Sequence, residues 1–180
     1  QRGVRPGEWY LCPFHKGETC VSEPAVWEVQ GVPTLMTSIT TPIKIDNETI
    51  GITGVDVSLS FIQNLAEQVN QGIFNGSGQL RIISTNGSIV ANTKSPELAG
   101  KLLSSSEWEK LNTYLNSSNS VTNISATHIQ VLLPMDFTHT SMNWLVELTV
   151  PTQIAMAETV RLTQGIEEQF SDSLMIQLLV

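Results

Sequence analysis

The sequence predicts an α+β fold of antiparallel sheets flanked by helices, on three observations. Residues 32–57 form a long β-branched stretch broken only by Asp46-Asn47, and residues 79–92 repeat that pattern around Asn86-Gly87. Stretches with helical spacing follow each of them, rather than alternating strand by strand as a parallel sheet requires.

Taken in order, "VPTLMTSITTPIKI" (32–45) and "ETIGITGVDVS" (48–58) read as an antiparallel hairpin turned at Asp46-Asn47. Gly51 and Gly54 inside the second strand suggest a bulge or a close backbone approach. A helix follows. Ser60 and Gln63 fit a capping box, and Ile62, Leu65, Ala66 and Val69 fall on one helical face. Gly72 is a natural stop, and "IFNGSG" (73–78) marks a module boundary. "QLRIISTNGSIVAN" (79–92) is a second hairpin. Ser95-Pro96 opens a short helix. Ser106 and Glu109 form another capping box, with Trp108, Leu111 and Leu115 on the apolar face. "NISATHIQVLLPMDF" (123–137) and "NWLVELTV" (143–150) read as long strands, the second with Trp144, Val146, Leu148 and Val150 on one face. Pro151 opens a last helix. The second module is therefore a sheet with helices segregated to one side. Residues 32–72 look like the end of a similar module, two strands and an exit helix.

Composition narrows the function. The 180 residues suffice for one domain or two small ones, and 41% apolar residues suffice for a core. A net charge of −8 with no local basic patch repels nucleic acid and anionic membranes. A charged fraction of 14%, below the roughly 25% usual for soluble domains, with abundant Ser, Thr and Asn, suits an exported chain. No signal peptide is expected in "QRGVRPGEW", and no apolar run spans a bilayer. The final "SLMIQLLV" reads either as a core helix end or as the approach to a membrane segment. No phosphate loop, Gly-X-Ser-X-Gly or His-Glu-X-X-His is present, "GITG" does not extend to a dinucleotide fingerprint, and no cofactor is implied. The chain is expected not to be an enzyme.

"GITGVDVSLSFIQNLAEQV" (51–69) resembles the close of the membrane-distal module of double Cache domains. These are PAS-like extracytoplasmic sensors of bacterial methyl-accepting chemotaxis proteins and some histidine kinases. "RPGEWY" (5–10) resembles the Arg…Trp-Tyr signature of the distal pocket, and "SEP" with "LMTSITTPI" the strand pair that comes next. "GQLRIISTNGSIVANTKSPELAGKLL" (78–103) is similar to the start of the membrane-proximal module, and "WLVELTVPTQIAMAE" (144–158) to its last strand and exit helix. The resemblance implies the C-terminal part of a distal Cache module at 1–60, a connecting helix and linker at 61–78, a proximal module at 79–151 and an exit helix toward the membrane at 152–180.

In the amino-acid-binding branch of that family the Arg and Trp-Tyr hold the ligand carboxylate, while a later Tyr and the Asp of Gly-Val-Asp hold its ammonium. Arg5, Trp9, Tyr10 and Asp56 match those positions. A buried zwitterion needs a donor fork at one end and a carboxylate at the other. Where the later Tyr stands in the family this chain has Ala25, with Trp27 the nearest aromatic, which opens the ligand class to other small polar molecules. Met36, Thr37 and Ser38 lie on the strand expected to floor the pocket, and Thr37 joins Trp27 among the candidate contacts. Each has a plainer reading as well: Asp56 as a helix cap, Trp9, Tyr10 and Trp27 as core packing, Arg5 as a terminal surface residue.

Cys12 and Cys20, in "WYLCPFHKGETC" (9–20), are expected to pair in an oxidising periplasm and staple a loop beside the pocket, with His15 exposed. A metal site would draw on Cys12, His15, Cys20 and Glu18 or Glu23, a spacing unlike a zinc knuckle. A catalytic cysteine would need a base and oxyanion donors that no local motif supplies. His128 and His139 read as structural, Trp108 and Trp144 as core. The resemblance thus implies the periplasmic sensor domain of an inner-membrane chemoreceptor. It would bind an amino acid, amine or small carboxylate, act as a homodimer, and reach the membrane through flanking segments. The alternatives are the ectodomain of a sensor histidine kinase or cyclase, and a secreted binding module without a signalling role.

Overall fold

The computed structural model describes residues 7–115, 117, 119–137 and 143–157. Two antiparallel sheets are built in chain order. In the first, the long strand β3 (Val32–Ile45) is central. On one side it pairs with β1 (Cys20–Val21) and β2 (Ala25–Val29), and on the other with β4 (Glu48–Ser58). Both hairpin turns put two successive residues at positive φ, Gln30-Gly31 and Asp46-Asn47. Such turns match the right-handed twist of the strands they join.

The expectation for the two glycines of β4 holds in both its forms. The β3–β4 register slips between Ile43 and Lys44, directly opposite Gly51. At Gly54 the strands approach so closely that a Cβ would lie 2.7 Å from Thr40 Cγ2 and 2.9 Å from Thr40 Cα. Strand β2 extends the sheet beyond the hairpin expected over 32–58, and the Gln30-Gly31 turn sets it.

Helix α2 (Leu59–Gly72) starts two residues earlier than expected. Its cap is Ser58, whose Oγ accepts from the Phe61 N–H at 3.3 Å, not Ser60. The same displacement occurs at α3 (Ser105–Leu115), where the Ser104 hydroxyl accepts from the Glu107 N–H. In each serine-rich start several hydroxyls could cap, and burial of the first apolar residue selects among them: Leu59 is 2% exposed. The buried face of α2 also differs from the apolar one expected. Leu59, Gln63, Ala66 and Asn70 are buried, whereas Leu65 and Val69 are exposed. Gln63 is drawn inward by two-point pairing with the backbone of Asn92, accepting its N–H at 2.8 Å and donating to its carbonyl at 3.1 Å. Asn92 ends β6 (Ile89–Asn92), an edge strand, so the amide satisfies groups the sheet leaves open.

The second sheet has the order β6-β5-β9-β8-β7, with β5 (Gln79–Ile83), β7 (Val121–Ile124), β8 (His128–Asp136) and β9 (Asn143–Pro151). Pro96–Leu98 form a single 3-10 turn, and Ser95 caps it through its carbonyl rather than its side chain. Helices cover both faces, which corrects the one-sided arrangement expected. Along β9, Trp144, Val146 and Leu148 pack toward α2 with Ile62, Ala66, Leu80 and Ile82, while Leu145 joins Leu111 and Leu115 of α3 on the other side. The two sheets share one core of Val21, Leu59, Val90 and Trp144, joined by Leu35, Ile39 and Met135. Gly100, at φ +80°, lets the chain pass Leu35 of the first sheet; a Cβ there would lie 2.7 Å from its Cδ2. Residues 152–157 are helical after Pro151, and the remainder of the expected exit helix lies outside the described residues.

Candidate functional site

Strand alternation sorts the candidates on the first sheet. Trp27 and Val29 of β2, Met36 and Ser38 of β3, and Asp56 of β4 fall on one face, since Ala25 pairs with Met36 and Ser38 with Asp56. The structure places a helix above that face. Helix α1 (Glu8–Lys16) replaces the loop expected between the cysteines, running from Gly7 to a Gly17 cap that donates to the Pro13 carbonyl. Pro13 inside "WYLCPFHKGETC" disguises it, because a proline in mid-helix removes a hydrogen bond. The stapling itself is as expected: Cys12 on α1 and Cys20 on β1 are joined by a disulfide with Cα atoms 6.1 Å apart, and His15 is exposed. Among the described residues no cluster of His, Cys, Asp and Glu could hold a metal ion.

Trp9 of α1 and the sheet face enclose a cavity of about 290 Å³, lined by Trp9, residues 27–29, Met36, Ser38 and Asp56. Asp56 is oriented by the Ser38 hydroxyl, which donates to its Oδ1 at 2.6 Å. Ser38 is fixed in turn, since its N–H donates to Ser22 Oγ at 2.9 Å and its carbonyl accepts from the Ser22 N–H at 2.8 Å. Asp56 therefore lines the cavity and does not cap α2, a task taken by Ser58. Two indoles, a thioether and one oriented carboxylate make a chamber suited to an organic cation: the rings attract it from their faces and the carboxylate neutralises it.

The structure thus brings together Trp9, Trp27 and Asp56 of the sequence candidates. It does not bring in Tyr10, whose ring stacks on Phe14 at 5.4 Å along α1. Thr37 points to the opposite face, 2% exposed, and its hydroxyl donates to the Ser22 carbonyl at 2.6 Å. One residue of strand register decides this, since neighbours on β3 face opposite ways. Arg5 lies outside the described residues. Val29 was not among the sequence candidates; the Gln30-Gly31 turn and the alternation of "AVWEV" would have placed it beside Trp27.

Residues 3–64 match the family model of the methyl-accepting chemotaxis protein-like first PDC sensor domain. The methyl-accepting chemotaxis protein TlpQ of Pseudomonas aeruginosa is 29% identical over 179 residues, which cover 98% of this chain and 25% of that protein. A solved structure of methyl-accepting chemotaxis protein X is 28% identical with a TM-score of 0.64, over 81% of this chain and 55% of that one. The ligand-binding domain of the Pseudomonas fluorescens chemoreceptor CtaA, solved with L-leucine, has a TM-score of 0.57 at 22% identity over 86% of this chain and 65% of that one. The chain spans a quarter of the first of these relatives and just over half of the second. The chain is thus similar to the sensor regions of methyl-accepting chemotaxis proteins, over residues 3–64 by the family model and over nearly its whole length by sequence.

Proposed function

We propose that this chain is the periplasmic ligand-binding region of a transmembrane chemoreceptor, without catalytic activity, and that a small polar ligand bearing an ammonium group occupies the cavity beside Asp56. The single observation that supports the site is the convergence of Trp9, Trp27 and Asp56 on one cavity of about 290 Å³, within the stretch that matches a sensor-domain family. Asp56 would take the ammonium, the two indoles would flank it, and Met36 and Val29 would meet its apolar part. Arg5, just before α1, would meet a carboxylate where the ligand has one; amino acids and primary amines are thus the first ligands to test. Tyr10 and Thr37 would act from behind the wall, Tyr10 by bracing α1 and Thr37 by fixing β3.

In this reading residues 1–60 are the C-terminal part of a membrane-distal module, 61–78 a connector, 79–151 a membrane-proximal module and 152–180 the helix toward the membrane. The receptor would act as a homodimer, and ligand would bias the exit helix only by its differential affinity for two states.

The test is a thermal-shift screen of amino acids, amines and small carboxylates, followed by titration calorimetry. A ligand at about 100 times its dissociation constant stabilises by about 2.7 kcal/mol. Asp56→Asn should weaken an ammonium ligand by about 10- to 100-fold, the worth of a hydrogen bond to a charged group. Binding of an amino acid or amine that is indifferent to Asp56→Asn would sink the site assignment.

A further inference from the structure

A second cavity, of about 340 Å³, lies beneath α3 in the other sheet, away from Asp56. Its floor comprises Arg81 of β5, Gln130 and Leu132 of β8, and Glu147 of β9; Glu107, Lys110, Leu111 and Tyr114 of α3 form its roof. Its size falls in the range of small-ligand pockets.

The floor is a closed ion pair. Glu147 is only 4% exposed, and both its oxygens are occupied. Oε2 accepts from Arg81 Nε at 2.6 Å and pairs with the Nη2 of the same guanidinium, while Oε1 accepts from Gln130 Nε2 at 2.6 Å. Arg81 is permanently charged and carries five N–H donors. Two of them serve Glu147, and one more, on Nη1, donates to Glu107 Oε1 at 2.7 Å. Two remain.

The two carboxylates on Arg81 are not equivalent. The Glu147 side chain is 5% exposed, and that of Glu107 is 39% exposed on the open side of the cavity. Water competes for Glu107 and not for Glu147, so Glu107 is the weakly held partner. One turn further along α3, Lys110 lines the same cavity, and its ammonium has no ion pair among the described residues. Leu111, Leu132 and the Tyr114 ring supply an apolar wall beside these cations.

We propose that this cavity is a second ligand site, taking a small monocarboxylate with a short apolar or aromatic body. The carboxylate replaces Glu107 on Arg81 and is shared with Lys110, and the body rests on Leu111, Leu132 and Tyr114. A dianion is disfavoured because Glu107 and Glu147 both stand close. An amine is disfavoured because Glu147 has no free oxygen and Arg81 and Lys110 repel it. A cavity between a sheet face and a helix with an oriented acid also occurs at Asp56, there on the edge strand β4, with the opposite charge preference.

The test is calorimetric titration of the whole chain with butyrate and with benzoate, against sodium chloride at matched ionic strength. Lys110→Met should weaken binding by about tenfold, the value of one charge-assisted contact. Glu107→Gln, which removes the competitor, should tighten it several-fold, and Asp56→Asn should leave it unchanged. The expected result is that pattern with unaltered circular dichroism in all three variants. Absence of binding by both probes, or binding insensitive to Lys110→Met, or binding lost in Asp56→Asn, would overturn the proposal. Failure here leaves the Asp56 site standing, since that site is read from ammonium-bearing ligands and their loss in Asp56→Asn.

Discussion

Replacing both cysteines with alanine should cost the protein about 2.6 kcal/mol and loosen the cavity wall. The disulfide joins Cys12 on α1 to Cys20 on β1, eight residues apart. For a closed loop of about nine residues the chain-entropy relation gives roughly 8.6 cal/mol/K of lost denatured-state entropy, or about 2.6 kcal/mol at 25 °C. In a chain of 180 residues that corresponds to a fall in Tm of about 5–10 °C. The loop is short, but what it holds matters. Helix α1 carries Trp9 over the sheet, and Trp9, Tyr10 and Phe14 are all substantially exposed, so apolar packing alone anchors the helix weakly. The Cys12→Ala/Cys20→Ala variant should therefore lose ligand affinity along with stability, by raising the entropy that binding must remove. The assay is a thermal melt of both proteins, with and without ligand. An unchanged Tm would refute the reasoning that the disulfide restrains the unfolded chain. A lowered Tm with undiminished affinity would refute the claim that it positions Trp9.

Three further outcomes follow from the packing. Arg81→Met should destabilise by about 3–5 kcal/mol in urea melts, because Glu147 is left buried with its main partner gone, and adding Glu147→Leu should recover much of the loss. Gly54→Ala should cost about 1–3 kcal/mol, since its methyl would meet Thr40 at 2.7 Å; a neutral result would mean the β3–β4 approach is looser than the structure has it. Burial raises the Glu23 carboxyl above its ordinary value of 4.5, and the hydrogen bond from the Asn86 N–H only partly opposes this. The folded state then holds the proton longer than the unfolded one, so this group's stabilisation is complete below the ordinary carboxylate range and is lost as pH rises through the raised value. Glu23→Gln should flatten that part of the stability–pH curve, and an unchanged slope would remove Glu23 as its source.

Much of this architecture was legible because turns and alternation are local. Asp46-Asn47 and Asn86-Gly87 fix two hairpins, and the two-residue period of β9 places Trp144 and Glu147 on opposite faces. Helix starts were displaced by two residues wherever several serines competed to cap, since tertiary burial, not the hydroxyl, made the choice. The buried face of α2 departs from its apolar pattern for a related reason: Gln63 is polar but buried, because a strand edge supplies its partners. Helix α1 was hidden by Pro13. Of the residues that line the cavity, Asp56 and Trp9 are those the family resemblance points to, and Trp27 is the aromatic nearest the missing Tyr. Thr37 could not be separated from Ser38 without the register that pairs Ser38 with Asp56.

The join between the two sheets explains why a carboxylate is tolerated where apolar contact would be cheaper. Val21, Leu35 and Ile39 meet Val90 and Trp144 through non-directional packing, which permits small rotations. Glu23 adds direction: one of its oxygens accepts from the Asn86 N–H at 3.0 Å, and Asn86 Oδ1 accepts from the Ser84 hydroxyl and from both the N–H and hydroxyl of Ser88. Its other oxygen is buried without a partner among the described residues. A half-satisfied buried acid costs stability, so what it contributes is register, tying the residue next to Ser22 to the tip of the second hairpin. Because Ser22 also holds Ser38, and Ser38 holds Asp56, the orientation of the site carboxylate and the seating of the second sheet share one hydrogen-bonded segment. If that segment is a true coupling element, Glu23→Gln and Asp56→Asn should be non-additive in a double-mutant cycle of ligand affinity, by at least about 0.5 kcal/mol. Additive effects would make the join a structural tether with no part in sensing.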